Sequence, residues 1–255
     1  MATVVALGAG GTVRGNTESS RHAPPTIQLT SLHGNPAPPD PVRTTSTAAS
    51  TTRAAPKSAL LVRIRRALTI RARPGGGRRL GVLPAGSLQM GAPTFAWVIQ
   101  VSRDGRYGRV PIPYRGTGRT GWIGLRGLPR SHTAITVVAD LSQHQIRVER
   151  LGKVILRMKA ATGSPATPTP RGNYFVTDRV PFSRGSVYGS FAFGLSGVQP
   201  LLASRWPRNQ LAIHGTNDPG SIGRSATEGC LRVSERNLAR LERLLRLGTP
   251  VIIQP

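Results

Sequence analysis

From Leu60 onward, apolar residues recur at every second position in short runs that end on glycine or proline. Val62-Arg63-Ile64-Arg65 and Leu68-Thr69-Ile70-Arg71 alternate in this way, and Pro74-Gly75-Gly76-Gly77 turns the chain after them. Gln145-Ile146-Arg147-Val148-Glu149-Arg150 alternates too, then Leu151-Gly152 turns into Lys153-Val154-Ile155-Leu156. A period of two sends one side of an extended chain to a core and the other to water, so these runs read as β-strands and hairpins. A 3.6-residue period is clear only from Ser234 to Leu247. There Leu238, Leu241 and Leu245 share a face, Ser234 stands at the N-cap and Gly248 supplies a left-handed stop. The chain is therefore expected to be mainly β, with one clear helix near its C-terminus.

Three regions separate by texture. Residues 1–56 are rich in Thr, Ser, Ala and Pro, with no strand or helix period. Such a composition buries too little apolar surface to offset its ordering entropy, and the segment reads as a disordered leader or linker. Residues 60–128 hold short strands with regular turns, a central Phe95-Ala96-Trp97-Val98 and a closing Gly121-Trp122-Ile123. This order resembles a bacterial SH3-like β-barrel, in which Trp97 and Trp122 would serve packing. Residues 133–254 hold a second β-rich stretch that includes the helix and the final strand Pro250-Val251-Ile252-Ile253.

Charge and cysteine count narrow the function classes. The net charge is +25, nearly all from arginine. Such a surface favours polyanions, whether nucleic acid, anionic lipid or anionic cell-wall polymers. Aromatics make up 5% of the residues, which is thin for a base-stacking platform and counts against nucleic acid as the main partner. No run reaches the ~18 apolar residues of a membrane-spanning helix. Met1 to Gly11 is apolar but lacks a basic leader, so no export signal is convincing there. The single cysteine, Cys230, has no disulfide partner and is a poor basis for a metal site, which leaves filler or nucleophile.

The surroundings of Cys230 favour the nucleophile. His214-Gly215-Thr216 follows the apolar run Leu211-Ala212-Ile213, and Thr227-Glu228-Gly229-Cys230-Leu231-Arg232 comes after a short loop. An imidazole near a thiol can take its proton, and the thiolate is the attacking form. The order resembles the signature of the L,D-transpeptidase (YkuD-type) family: His-Gly-Thr, a loop, then Ser/Thr-x-Gly-Cys-Ile/Leu-Arg. The resemblance covers about residues 133–254. Many members carry a second histidine where this chain has Glu228.

The resemblance implies site roles. Cys230 would be the nucleophile and His214 its base, with the Gly215 carbonyl orienting the imidazole. Main-chain amides at Gly229 and Cys230 would serve the oxyanion. Arg232, Tyr188, Gly189 and Thr227 would line the substrate cleft, with Thr227 also bracing the loop. Asp218 reads as an Asx-turn residue and Glu228 as a solvent-facing one.

The implied activity is that of a cell-wall-associated, extracytoplasmic peptidoglycan L,D-transpeptidase. It would make 3→3 cross-links between donor and acceptor stem peptides through a cysteine thioester. The resemblance calls for no cofactor and no metal, and it implies acylation by carbapenem-type β-lactams. Two alternatives stay open: an L,D-carboxypeptidase that hydrolyses the same acyl-enzyme, and a non-catalytic cationic protein that binds cell wall or nucleic acid.

Overall fold

The computed structural model describes residues 57–115, 118–183, 185–205 and 209–255. The leader expected over residues 1–56 lies outside them.

Among the described residues, eight strands precede residue 134. They are β1 (Ala59–Arg63), β2 (Leu68–Arg73), β3 (Gly76–Leu83), β4 (Phe95–Val98), β5 (Gln100–Val101), β6 (Tyr107–Pro111), β7 (Thr120–Gly124) and β8 (Arg130–Thr133). They form a five-stranded sheet, β3-β2-β7-β6-β5, and a three-stranded sheet, β4-β1-β8. The chain passes from one sheet to the other at Ile99, between β4 and β5.

The second region contains β9 (Ile135–Asp140), β10 (Gln145–Arg150), β11 (Lys153–Lys159), β12 (Thr162–Gly163), β13 (Gly172–Pro181), β14 (Phe191–Val198), β15 (Gln210–His214), β16 (Ser225–Thr227), β17 (Leu231–Arg232), α1 (Glu235–Leu244) and β18 (Pro250–Gln254). Eight of these strands make one sheet in the order β11-β10-β9-β18-β13-β14-β15-β17. The long strand β13 changes partner midway. Gly172–Phe175 pairs with β18, and Val176–Pro181 pairs with β14. The β10–β11 hairpin turns at Leu151-Gly152, both in left-handed conformations. The mainly β expectation holds.

The centre of this sheet is buried on both faces. Val137, Ala139, Tyr174, Val176, Val251 and Ile253 point into a core that also takes Leu238 and Leu241 of α1 and Leu245 at its end. Their sequence neighbours Val138, Phe175 and Ile252 point the other way, into a core shared with Leu61, Ile70, Trp97 and Ile123. This is why Val137-Val138-Ala139 and Val251-Ile252-Ile253 are continuous apolar runs: a strand covered on both faces needs apolar side chains at successive positions. The N-terminal β-region thus seals the back of the second region's sheet.

Helix α1 is shorter than its pattern predicts, because Leu245 turns extended (ψ 137°). The turn closes at Gly248, which is left-handed (φ +84°) as expected. Ser234 stands at the N-cap position, but its hydroxyl makes no capping bond.

Phe175 is fully buried and belongs to the shared core. Phe175→Ala is expected to cost about 3–5 kcal/mol. Hydrogen exchange followed by mass spectrometry should then quicken in β1 and β4 as well as in β13 and β18. Exchange that quickens in β13 and β18 alone would contradict a common core.

Candidate active site

Strands β15 and β17 run parallel, with Ile213 opposite Leu231 and His214 opposite Arg232. Ile213 and Leu231 are buried in the core. Alternation then sends Ala212 and His214, and likewise Cys230 and Arg232, to the other face. His214 and Cys230 become diagonal neighbours, a relation that in sheets separates Cα atoms by about 7–8 Å and lets long side chains meet. Both line one cleft of about 450 Å³, together with Tyr188, Thr227, Glu228 and Arg232.

His214 is 3% exposed. Its Nδ1 lies 2.6 Å from the carbonyl oxygen of Gly215. A carbonyl can only accept, so Nδ1 carries the proton and Nε2 keeps a free lone pair. The edge of the imidazole meets the Tyr188 ring, with centroids 5.1 Å apart. Burial lowers the His214 pKa to about 4, and Arg232 adds to this. The Gly215 carbonyl and Glu235 pull the other way.

Cys230 is a half-buried residue with a free thiol, whose Sγ sits 3.8 Å from the Gln210 carbonyl. Burial of the sulfur raises its pKa to about 11, against the pull of the Ala212 main-chain N–H and Arg232. At neutral pH the thiol and the imidazole are therefore both uncharged.

The loop before Cys230 is held by two side chains. Thr227 Oγ1 accepts from Gly229 N (3.0 Å) and donates to Cys230 O (2.7 Å). Gln199 donates from Nε2 to the carbonyls of Thr167, Pro168 and Glu228 at 3.0–3.2 Å. Gly229 has φ +119°, and a Cβ there would strike Gln199 Nε2. Glycine is thus required for both conformation and space.

Glu235, the first residue of α1, ties two turns together. It accepts from Thr216 N (3.3 Å), Ser190 N (3.3 Å) and Ser190 Oγ (2.6 Å). Gly189 lies in that joint at φ +69°, its α-carbon facing Gly215 and Glu235.

The structure brings His214, Cys230, Arg232, Tyr188 and Thr227 to one cleft, and Gly189 packs behind it. Arg232 is half-buried, and its Nε has no hydrogen-bond partner among the described residues. The Gly229 amide is already engaged by Thr227. Asp218 is exposed, and its carboxylate makes no capping bond to the turn that follows. Its main-chain carbonyl does that work, accepting from Ser221 Oγ (2.7 Å) and Thr216 Oγ1 (3.2 Å), so the Asx-turn expectation is corrected.

Sequence reasoning missed Gln199 and Glu235. Glu235 carries a weak signal, an acid in the first turn of a helix. Gln199 carries none, because its three acceptors come from segments about 30 residues away.

Residues 134–253 match the family model of the L,D-transpeptidase catalytic domain, YkuD. The chain carries a YkuD-type L,D-transpeptidase catalytic domain. Its relatives include the YkuD protein of Bacillus licheniformis, 29% identical over 119 residues, a match covering 47% of this chain and 65% of that protein. The YkuD protein of Bacillus subtilis strain 168 is 26% identical over 132 residues, 51% of this chain and 73% of that protein. Among solved structures, an L,D-transpeptidase from Mycobacterium smegmatis aligns with 63% of this chain and 90% of its own length, at 18% identity and a TM-score of 0.41. The same values hold for the LD transpeptidase LdtMt1 in complex with imipenem.

The raised thiol pKa in this L,D-transpeptidase domain has a direct consequence. An acid whose pKa is raised stays protonated to higher pH, so little thiolate exists near neutrality. Alkylation of Cys230 by iodoacetamide should climb about tenfold per pH unit from 6 to 9 without levelling. A plateau below pH 7 in intact-mass time courses would instead mean a standing thiolate–imidazolium pair.

Proposed function

We propose that this chain is an extracytoplasmic peptidoglycan L,D-transpeptidase that forms 3→3 cross-links through a thioester on Cys230. The observation that carries this reading is the Nδ1–H bond from His214 to the Gly215 carbonyl, in the same cleft as the chain's single thiol. That bond leaves Nε2 as a base and positions the ring to become a cation.

The chemistry runs in two halves. In the first, the Cys230 sulfur bonds to the carbonyl carbon of the third stem residue while its proton passes to His214 Nε2. The Cys230 main-chain N–H receives the oxyanion, since the Gly229 amide is engaged elsewhere. The imidazolium is steadied by the Gly215 carbonyl. It returns its proton to the leaving nitrogen as the amide bond to the terminal D-alanine breaks, and a thioester remains.

In the second half, a side-chain amine from another stem attacks the thioester. His214 takes a proton from that amine. The carbon–sulfur bond breaks, a new amide forms, and Cys230 recovers its proton. Arg232, half-buried with a free Nε donor, is suited to hold substrate oxygens near the sulfur.

Proton transfer concerted with attack fits the resting charges better than a preformed thiolate does. A neutral imidazole is available at every pH above about 4. Acylation of Cys230 by a carbapenem should therefore stay level from pH 5 to 8 in stopped-flow fluorescence. A tenfold fall between pH 7 and 5 would return His214 to an ordinary imidazole range.

Incubation with a tetrapeptide stem should add the mass of the tripeptide acyl group to Cys230. Cys230→Ala should abolish the adduct, and an acceptor stem should discharge it as a cross-linked product. Discharge to free tripeptide with acceptor present would make the chain a carboxypeptidase. An adduct that persists on another residue in Cys230→Ala would overturn the assignment.

A further inference from the structure

A second groove, of about 890 Å³, lies apart from the catalytic cleft. It opens between the N-terminal β-region and the L,D-transpeptidase sheet, with Arg79, Leu88, Tyr114, Arg115, Val198 and Asn209 among its walls. Asn209 also lines the catalytic cleft, so the two cavities share a wall.

The loop between β3 and β4 separates them. Leu88 faces the groove, and the next residue, Gln89, lines the catalytic cleft. This loop is pinned, not draped. Ser87 Oγ donates to the buried Asp178 on β13 and accepts from Ala92 N (3.1 Å) and Met90 N (3.3 Å). Tyr114 N donates to Ser196 O on β14 at 2.7 Å, fixing the other wall. Leu88 and Met90 are more than half exposed on the loop and form an apolar rim.

Three groups in the groove wall, on Arg79, Arg115 and Asn209, are open to a ligand. Among the described residues the one ion pair joins Arg147 to Glu149, so neither Arg79 nor Arg115 is matched to a carboxylate. Asn209 is 6% exposed, and its Oδ1 has no hydrogen-bond partner among the described residues. A groove of this size with two unmatched guanidinium groups, a buried unsatisfied acceptor and an apolar wall suits an extended peptide that carries carboxylates.

We infer that this groove is a second substrate subsite, which holds a carboxylate-bearing stretch of the stem peptide on Arg79 and Arg115 while the loop residues Leu88 and Gln89 guide the chain into the catalytic cleft. The inference rests on the peptidoglycan reading proposed above and extends it to residues outside the catalytic domain. A free phosphate or sulfate polymer would also be drawn to two arginines. The shared wall at Asn209 and the apolar rim favour a peptide continuous with the one being processed.

Binding and reaction can be measured separately. The Cys230→Ala chain, titrated calorimetrically with a soluble disaccharide-tetrapeptide bearing free carboxylates, is expected to bind it. Arg79→Gln with Arg115→Gln should weaken that binding about tenfold. The same peptide with its carboxylates amidated should bind both chains alike within about twofold. With Cys230 restored, imipenem acylation should also be unchanged within about twofold, which reports an intact fold and catalytic pair.

Equal binding of the free-acid peptide by parent and double variant would overturn the inference. So would an equal loss for poly-glutamate, which would mark a nonspecific polyanion patch. A proportional loss of imipenem acylation would overturn it as well, by showing that the arginines act through the fold. If the free-acid peptide binds through the arginines but never acylates Cys230, the subsite stands and the proposed reaction fails. If neither peptide binds, both fail.

Discussion

Ile213 and Leu231 lie side by side in the core, and the arrangement of the site follows from that contact. Two adjacent strands that bury these side chains must turn Ala212 and His214, and Cys230 and Arg232, toward the opposite face. A slip of one residue in either strand would sink the imidazole or the sulfur into the core. Burying two aliphatic side chains stabilises the register by roughly 1.5–3 kcal/mol each. The remaining devices refine what this register has placed: the Thr227 bonds, the Gln199 staple and the Glu235 bridge.

Burial that fixes the geometry also sets the charges. The cleft removes water from both the sulfur and the imidazole, so each is held in its neutral form. In the reaction proposed above, the sulfur attacks a carbonyl carbon as its proton moves to the imidazole. Arg232 favours the thiolate and disfavours the imidazolium. Its field is therefore suited to the sulfur, while the Gly215 carbonyl is suited to the ring.

The N-terminal β-region is part of the same construction. Val138, Phe175 and Ile252 bury their side chains in its core, and their immediate neighbours bury theirs beside helix α1. Ser87 reaches across to Asp178, and the loop that carries it puts Gln89 at the catalytic cleft. A region joined to the sheet in this way shapes the cleft wall as well as its stability.

Local signals were enough to read the β character of the chain, the hairpin at Leu151-Gly152, the left-handed stop at Gly248 and the Leu238/Leu241/Leu245 face. Each of these depends on residues close together in sequence. The motifs around His214 and Cys230 pointed to a shared site, and both residues line one cleft. Tertiary structure alone decided that Gln199 would hold the cysteine loop, that Glu235 would join two turns, and that the Asp218 carbonyl, not its carboxylate, would close its turn. It also decided that both cores would share one sheet. These outcomes depend on which distant segments meet, and a polar side chain such as Gln199 reads the same in sequence whether it faces water or three carbonyls. The apolar run Val137-Val138-Ala139 announced burial, but only the folded sheet shows that the burial is on two sides.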